Sequence, residues 1–258
     1  MVRVAALLGM VLALSGCAGL IRDRIYQPAA IGAAPAWRVR APERVSVTTA
    51  DGLTLAGLWW APERGGRDVA VYFHGNGGSL YRDGPRAEAL AADGAGVLMA
   101  SYRGYSGNGG RPTEAGLRLD AAAFLADARA RLPSGGRLFL VGHSLGGAVA
   151  LDAAANSAVD GVATIGAFAR IADLAPAPVR PFMPDRFDNL RAIARVAEPV
   201  ILFHGTGDAV VPYGAAARLR AASGGRARVV TLHGADHHPD PVRLAPMIWS
   251  ALRMPPVP

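Results

Sequence analysis

Six apolar runs, five of them followed by a longer helical stretch, constrain this chain more than any other feature. The runs are Val69–Phe73, Gly96–Ala100, Arg137–Val141, Gly161–Ile165, Pro199–Phe203 and Arg228–Leu232. Helical patterns are predicted near 80–93, 114–131, 145–156, 213–223 and 241–252. Short apolar runs without alternation suit strands buried on both faces. Alternating strands and helices then predict an α/β fold with a mainly parallel sheet and helices on both faces. Upstream, "RVSVTTADGLTLAGLWWAP" has two alternating runs around Asp51-Gly52, which predicts an antiparallel N-terminal hairpin. Trp59 and Trp60 in that hairpin are expected in the core or on a sheet face.

The pentapeptide Gly142-His143-Ser144-Leu145-Gly146 falls between a predicted strand and a predicted helix. Gly-x-Ser-x-Gly at a strand-to-helix turn has the context of a nucleophile elbow. The sharp turn strains the serine backbone, and glycines let strand and helix close around it. The hydroxyl then stands beside a helix N-terminus, where developing negative charge is favoured. A serine needs a base to take its proton and an acid to orient that base. Asp208 follows one predicted strand, and His237 and His238 follow the next. These are the strand ends where parallel sheets build their sites.

The chain resembles the α/β-hydrolase superfamily and, within it, the BEM46-like serine hydrolases. The resemblance covers roughly residues 42–252. It rests on "YFHGNGGS", "SYRGYSGNGGRPTEAGLRLD", "GHSLGG", "DRFDNL", "PVILFHGTGDAVVP" and "GADHHPD". It implies an α/β-hydrolase fold with a Ser144, Asp208, His237 triad. The family's histidine follows Gly-Ala-x, which selects His237 over His238. The implied oxyanion hole is made of the Leu145 and Asn76 N–H groups, the latter from the His74–Gly78 loop. Relatives usually have Asp where this chain has Ser101, so any ion pair made there is absent. Arg103 is expected to tie the Tyr102–Tyr105 loop.

These features imply an ester- or thioester-cleaving serine hydrolase acting through an acyl-enzyme. Its substrate would be a small acyl ester or a lipid, and no cofactor is implied. The alternative is a lipid-tethered binding or scaffolding module on the same fold with little turnover. Residues 167–190, with Pro176, Pro178, Pro181 and Pro184, read as a short lid. Phe168, Phe182 and Met183 there either line an acyl pocket or cover the core. His233, Asp236, His237, His238 and Asp240 include metal-ligand types, but they crowd one short loop without a metal-site spacing, so no metal is expected. His74, His143 and His204 sit in Gly-flanked turns and are expected to shape loops.

"MVRVAALLGMVLALSGC" has a charged start, an apolar run from Val4 to Leu14 and small residues at its end, the layout of a secretory signal. The run falls short of the roughly 20 residues that span a bilayer. Leu14-Ser15-Gly16-Cys17 resembles the lipobox of bacterial lipoproteins, which implies cleavage before Cys17 and lipid on its sulfur. The expected organisation is a signal peptide over 1–16, a lipid-anchored tether over 17–41, and the hydrolase domain over 42–258. The expected location is an exported membrane lipoprotein; Ala18 points to an outer membrane where the host has one. The formal charge is +7, and all 27 basic residues are Arg. They form neither a like-charge block nor a basic stripe, so nucleic acid is not an expected partner.

Overall fold

The computed structural model describes residues 19–254. Cys17 and the signal segment lie outside the described residues. The strands are β1 (Glu43–Thr48), β2 (Thr54–Trp60), β3 (Val69–Phe73), β4 (Gly96–Ala100), β5 (Leu138–His143), β6 (Gly161–Ile165), β7 (Val200–Gly205) and β8 (Arg228–Leu232). The helices are α1 (Leu80–Ala91), α2 (Glu114–Ala130), α3 (Leu145–Ala154), α4 (Asn189–Arg195), α5 (Gly214–Ala222) and α6 (Pro241–Arg253). One sheet runs in the order β1-β2-β4-β3-β5-β6-β7-β8. β1 and β2 pair antiparallel, β2 pairs antiparallel with β4, and every later pair is parallel.

The sequence explains this layering. All five residues of β3 are buried. Val69, Val71 and Phe73 enter one core cluster, while Ala70 and Tyr72 enter the other. Successive strand side chains point to opposite faces, so both faces must be covered. Leu117, Phe124, Val149, Ile193 and Leu219, from α2, α3, α4 and α5, cover the first face. Leu80, Leu90, Ile248 and Trp249, from α1 and α6, cover the second. The helix starts are capped from the sequence. Ser79, Thr113, Asp188 and Asp240 accept from the first-turn amides of α1, α2, α4 and α6.

The structure departs from the sequence reading in a few places. β5 and β7 run two residues further, to His143 and Gly205, because His143↔Ile165 and Gly205↔Leu232 extend the parallel ladders. The insertion after β6 holds two single 3-10 turns, Ile171–Leu174 and Arg180–Phe182. α4 was not foreseen, since seven residues give too little period to read.

Residues 19–25 are helical, and the chain then runs along the domain surface. Tyr26 is buried. The Trp37 ring packs edge-on to Trp60 at 5.5 Å and fills the space beside Gly84, where a Cβ would meet it at 2.6 Å.

Candidate active site

Four consecutive parallel strands deliver residues to one edge of the sheet: Ser144 after β5, Gly166 after β6, Asp208 after β7 and His237 after β8. The loop after β3 brings His74–Gly78 to the same edge.

Ser144 has φ 53 and ψ −114, in the left-handed half of backbone space. Its N–H donates to the Ile165 carbonyl at 2.8 Å, and its carbonyl accepts from Gly147 N–H at 2.9 Å. The neighbouring glycines are required. A Cβ on Gly142 would overlap the Gly146 carbonyl, and one on Gly146 would overlap the Phe73 carbonyl. The serine is half-buried. Leu145 is the first residue of α3, so its N–H has no partner within the helix.

Asp208 and His237 are joined. His237 Nδ1 donates to Asp208 Oδ2 at 2.7 Å, with both side chains buried. That bond leaves Nε2 as the acceptor nitrogen of the neutral ring. Asp208 Oδ1 accepts from the Val210 and Val211 amides at 2.9 and 2.8 Å. Burial pushes Asp208 up. The bonds from His237 and the two amides outweigh it, and the carboxyl lies below its ordinary range. His204 Nε2 lies 3.5 Å from Asp208 Oδ2 and 2.9 Å from the Val211 carbonyl.

His238 points elsewhere: it is exposed, with Nδ1 3.4 Å from an Arg86 nitrogen. Its affinity for a proton is lowered, by burial first and then by His237 and Arg86. Among the described residues no hydrogen bond joins Ser144 Oγ to His237.

Asn76 Oδ1 accepts from Gln27 N–H at 2.7 Å, Gly77 N–H at 3.0 Å and the Tyr105 hydroxyl at 3.0 Å. The side chain is consumed in holding the loop. Arg103 binds Asp120 and Asp51, and so ties the Tyr102–Tyr105 loop to α2 and to the turn between β1 and β2. Ser101 donates to Ser106 Oγ at 2.9 Å. Phe168 is buried, Met183 packs partly buried on the core, and Phe182 is 67% exposed. Phe182 therefore neither covers the core nor lines an enclosed pocket. Among the described residues no group of three or more His, Cys, Asp or Glu side chains is placed to hold a metal. A cleft of about 620 Å³ lies elsewhere, over the outer face of α3 between α2 and α4, and touches none of Ser144, Asp208 or His237.

One site residue, Gly166, was not marked by the sequence, and His143, expected to shape a loop, does so at the site itself. Gly166 has φ +59, and a Cβ there would sit 3.0 Å from His237 Nδ1 and 3.1 Å from Asp208 Oδ2. Its only sequence signal is its place just past a strand end. His143 is buried and its Nε2 donates to the His237 carbonyl at 2.8 Å. Burial drops its pKa to about 3, so the ring is neutral. His74 is likewise lowered by burial.

A family model described as alpha/beta hydrolase fold matches residues 69–195, and one described as TAP-like protein matches 180–241. An uncharacterised protein of Mycobacterium tuberculosis is 34% identical over 203 residues, covering 75% of this chain and 72% of that protein. Protein bem46 of Schizosaccharomyces pombe is 30% identical over 188 residues, covering 66% and 62%. The fold is similar to that of an esterase of Pyrococcus furiosus, with a TM-score of 0.70 at 18% identity over 87% of this chain and 93% of that one.

Proposed function

The chain belongs to the α/β-hydrolase family and is BEM46-like within it, and from that premise we propose that it is a serine hydrolase cleaving an ester or thioester. One observation carries the reading. Ser144, held at φ 53 in an elbow, shares a sheet edge with the bonded Asp208–His237 pair.

In this mechanism Ser144 Oγ attacks the substrate carbonyl while His237 Nε2 takes its proton. Asp208 fixes the tautomer and stabilises the imidazolium. The oxyanion accepts from the N–H groups of Leu145 and Asn76. The tetrahedral centre collapses, the C–O or C–S bond breaks, and His237 returns the proton to the departing alcohol or thiol. Water then attacks the acyl-enzyme with His237 again as base, releasing the carboxylic acid and free Ser144. Ser144 Oγ and His237 Nε2 must come within hydrogen-bond reach for the first proton transfer. Steady turnover of p-nitrophenyl esters by the wild type, and its loss in Ser144→Ala, tests the assignment.

The second reading is a binding or scaffolding module on this fold with little turnover, which the fold alone allows. Absence of turnover across esters of increasing chain length would select it.

The same proposal includes export and acylation at Cys17, supported by Leu14-Ser15-Gly16-Cys17 at the end of an apolar run. Two or more acyl chains make stable attachment where one does not. Mass spectrometry of the mature N-terminus tests this, and an unmodified Cys17 there refutes it.

A further inference from the structure

The N-terminal segment and the 167–190 insertion are joined into one rim beside the candidate site. Arg22 Nε donates to the buried Asp185 carboxylate at 2.8 Å. Asp185 Oδ1 also accepts from Glu114 N–H at 3.1 Å, which fixes it to the start of α2. Tyr26 packs edge-on to Phe187 at 6.3 Å, and the next residue, Gln27, donates to Asn76. The rim thus reaches the loop that would hold the oxyanion.

The rim presents large apolar side chains to water. Leu20 is 70% exposed, Phe182 67% and Leu174 39%. Pro181 sits inside the 3-10 turn that carries Phe182, and its fixed φ stiffens that turn. The exposed guanidinium groups of Arg24, Arg180 and Arg186 lie on the same two segments, and none has a carboxylate partner among the described ion pairs. Apolar tips interspersed with unpaired arginines suit the headgroup layer of an anionic bilayer, where tips enter the acyl boundary and guanidinium groups meet phosphates. Cys17, the expected point of lipid attachment, precedes residue 19, where the described chain begins, by two positions. A lipid tether at Cys17 therefore leaves from this rim.

We propose that the rim formed by residues 20–24 and 174–186 is a docking surface for an anionic lipid bilayer. It turns the Ser144 edge toward bilayer-resident acyl esters. Docking stands on the rim alone; the substrate class rests on the hydrolase reading above.

Cys17 is the only cysteine, so Cys17→Ser in the full-length chain leaves no other thiol to label. In that background an environment-sensitive dye is placed at Phe182→Cys, with Leu20→Cys as a second rim position. Ser134→Cys serves as control, since it lies in the turn before β5 at the opposite end of the strands. Each protein is mixed with phosphatidylglycerol/phosphatidylcholine vesicles carrying a spin-labelled quencher. Loss of dye emission is expected at 182 and 20 and not at 134. Replacing Arg24, Arg180 and Arg186 by Ala should weaken the 182 signal, by about fivefold in binding per arginine, as expected for ~1 kcal/mol each. Rim dyes that stay in water, quenching at 134 instead, or arginine variants with unchanged quenching overturn the proposal. Turnover of a soluble ester by the same labelled proteins separates the two readings. Turnover with the rim in water refutes docking alone, and a docked rim without turnover refutes the hydrolase alone.

Discussion

His143 Nε2 lies 2.8 Å from the main-chain oxygen of His237. The residue before the candidate nucleophile therefore holds the loop of the candidate base. One imidazole sets the distance between the ends of β5 and β8, across the intervening β6 and β7.

His143→Leu should lower kcat on a soluble ester about 10- to 100-fold with little change in KM, the effect of a small misplacement of a catalytic group. His143→Gln keeps an amide donor and should recover part of the loss. With its pKa near 3, His143 is neutral above about pH 5. The shape of the pH–rate profile should therefore be the same in wild type and His143→Gln. A moved limb would make His143 a titrating participant.

Gly166→Ala places a methyl group against the His237–Asp208 bond at a backbone angle of +59. The backbone strain alone costs about 1–2 kcal/mol. Activity should fall by more than this destabilisation explains, because the Cβ crowds both bonded atoms. Thermal unfolding and kinetics on the same variant check it; equal, small effects on both would contradict the geometry.

Arg103→Ala should destabilise the fold by about 3–5 kcal/mol in urea unfolding, the cost of orphaning a buried charge. Its guanidinium lies 2.7 Å from both Asp120 Oδ1 and Asp51 Oδ2. Asp120 is fully buried, and burial raises its pKa even with Arg103 present. Arg103→Lys should rescue little, since one ammonium cannot reproduce the fork.

Most of the sheet was legible because β3, β4 and β6 are short apolar runs, the first two with helices after them. The ends of β5 and β7 were not, because His143 and Gly205 are held by ladder partners and not by propensity. Ser144, Asp208 and His237 stood out through glycine-flanked motifs past strands. Gly166 and the bond from His143 depend on which strands lie side by side, which local sequence does not carry. The docking of Trp37 against Gly84 and Trp60 was hidden for the same reason.

Asp208 binds its proton less tightly in the folded chain than an ordinary carboxylate. A lowered folded pKa gives stability that is present above the unfolded value of about 3.9 and lost as pH falls through the folded one. The stability advantage of wild type over Asp208→Asn should therefore shrink as pH drops below about 4. Urea unfolding of both proteins between about pH 6 and pH 3 checks it, and an advantage growing toward acid would contradict it.

The site of covalent capture tests the Ser144 assignment most directly. The wild-type protein is treated with a fluorophosphonate, and the adduct is located by peptide mass spectrometry. One adduct is expected, on Ser144, absent in Ser144→Ala, strongly slowed in His237→Ala and nearly normal in His238→Ala. An adduct on another residue, or labelling that survives in Ser144→Ala, would contradict a nucleophilic Ser144.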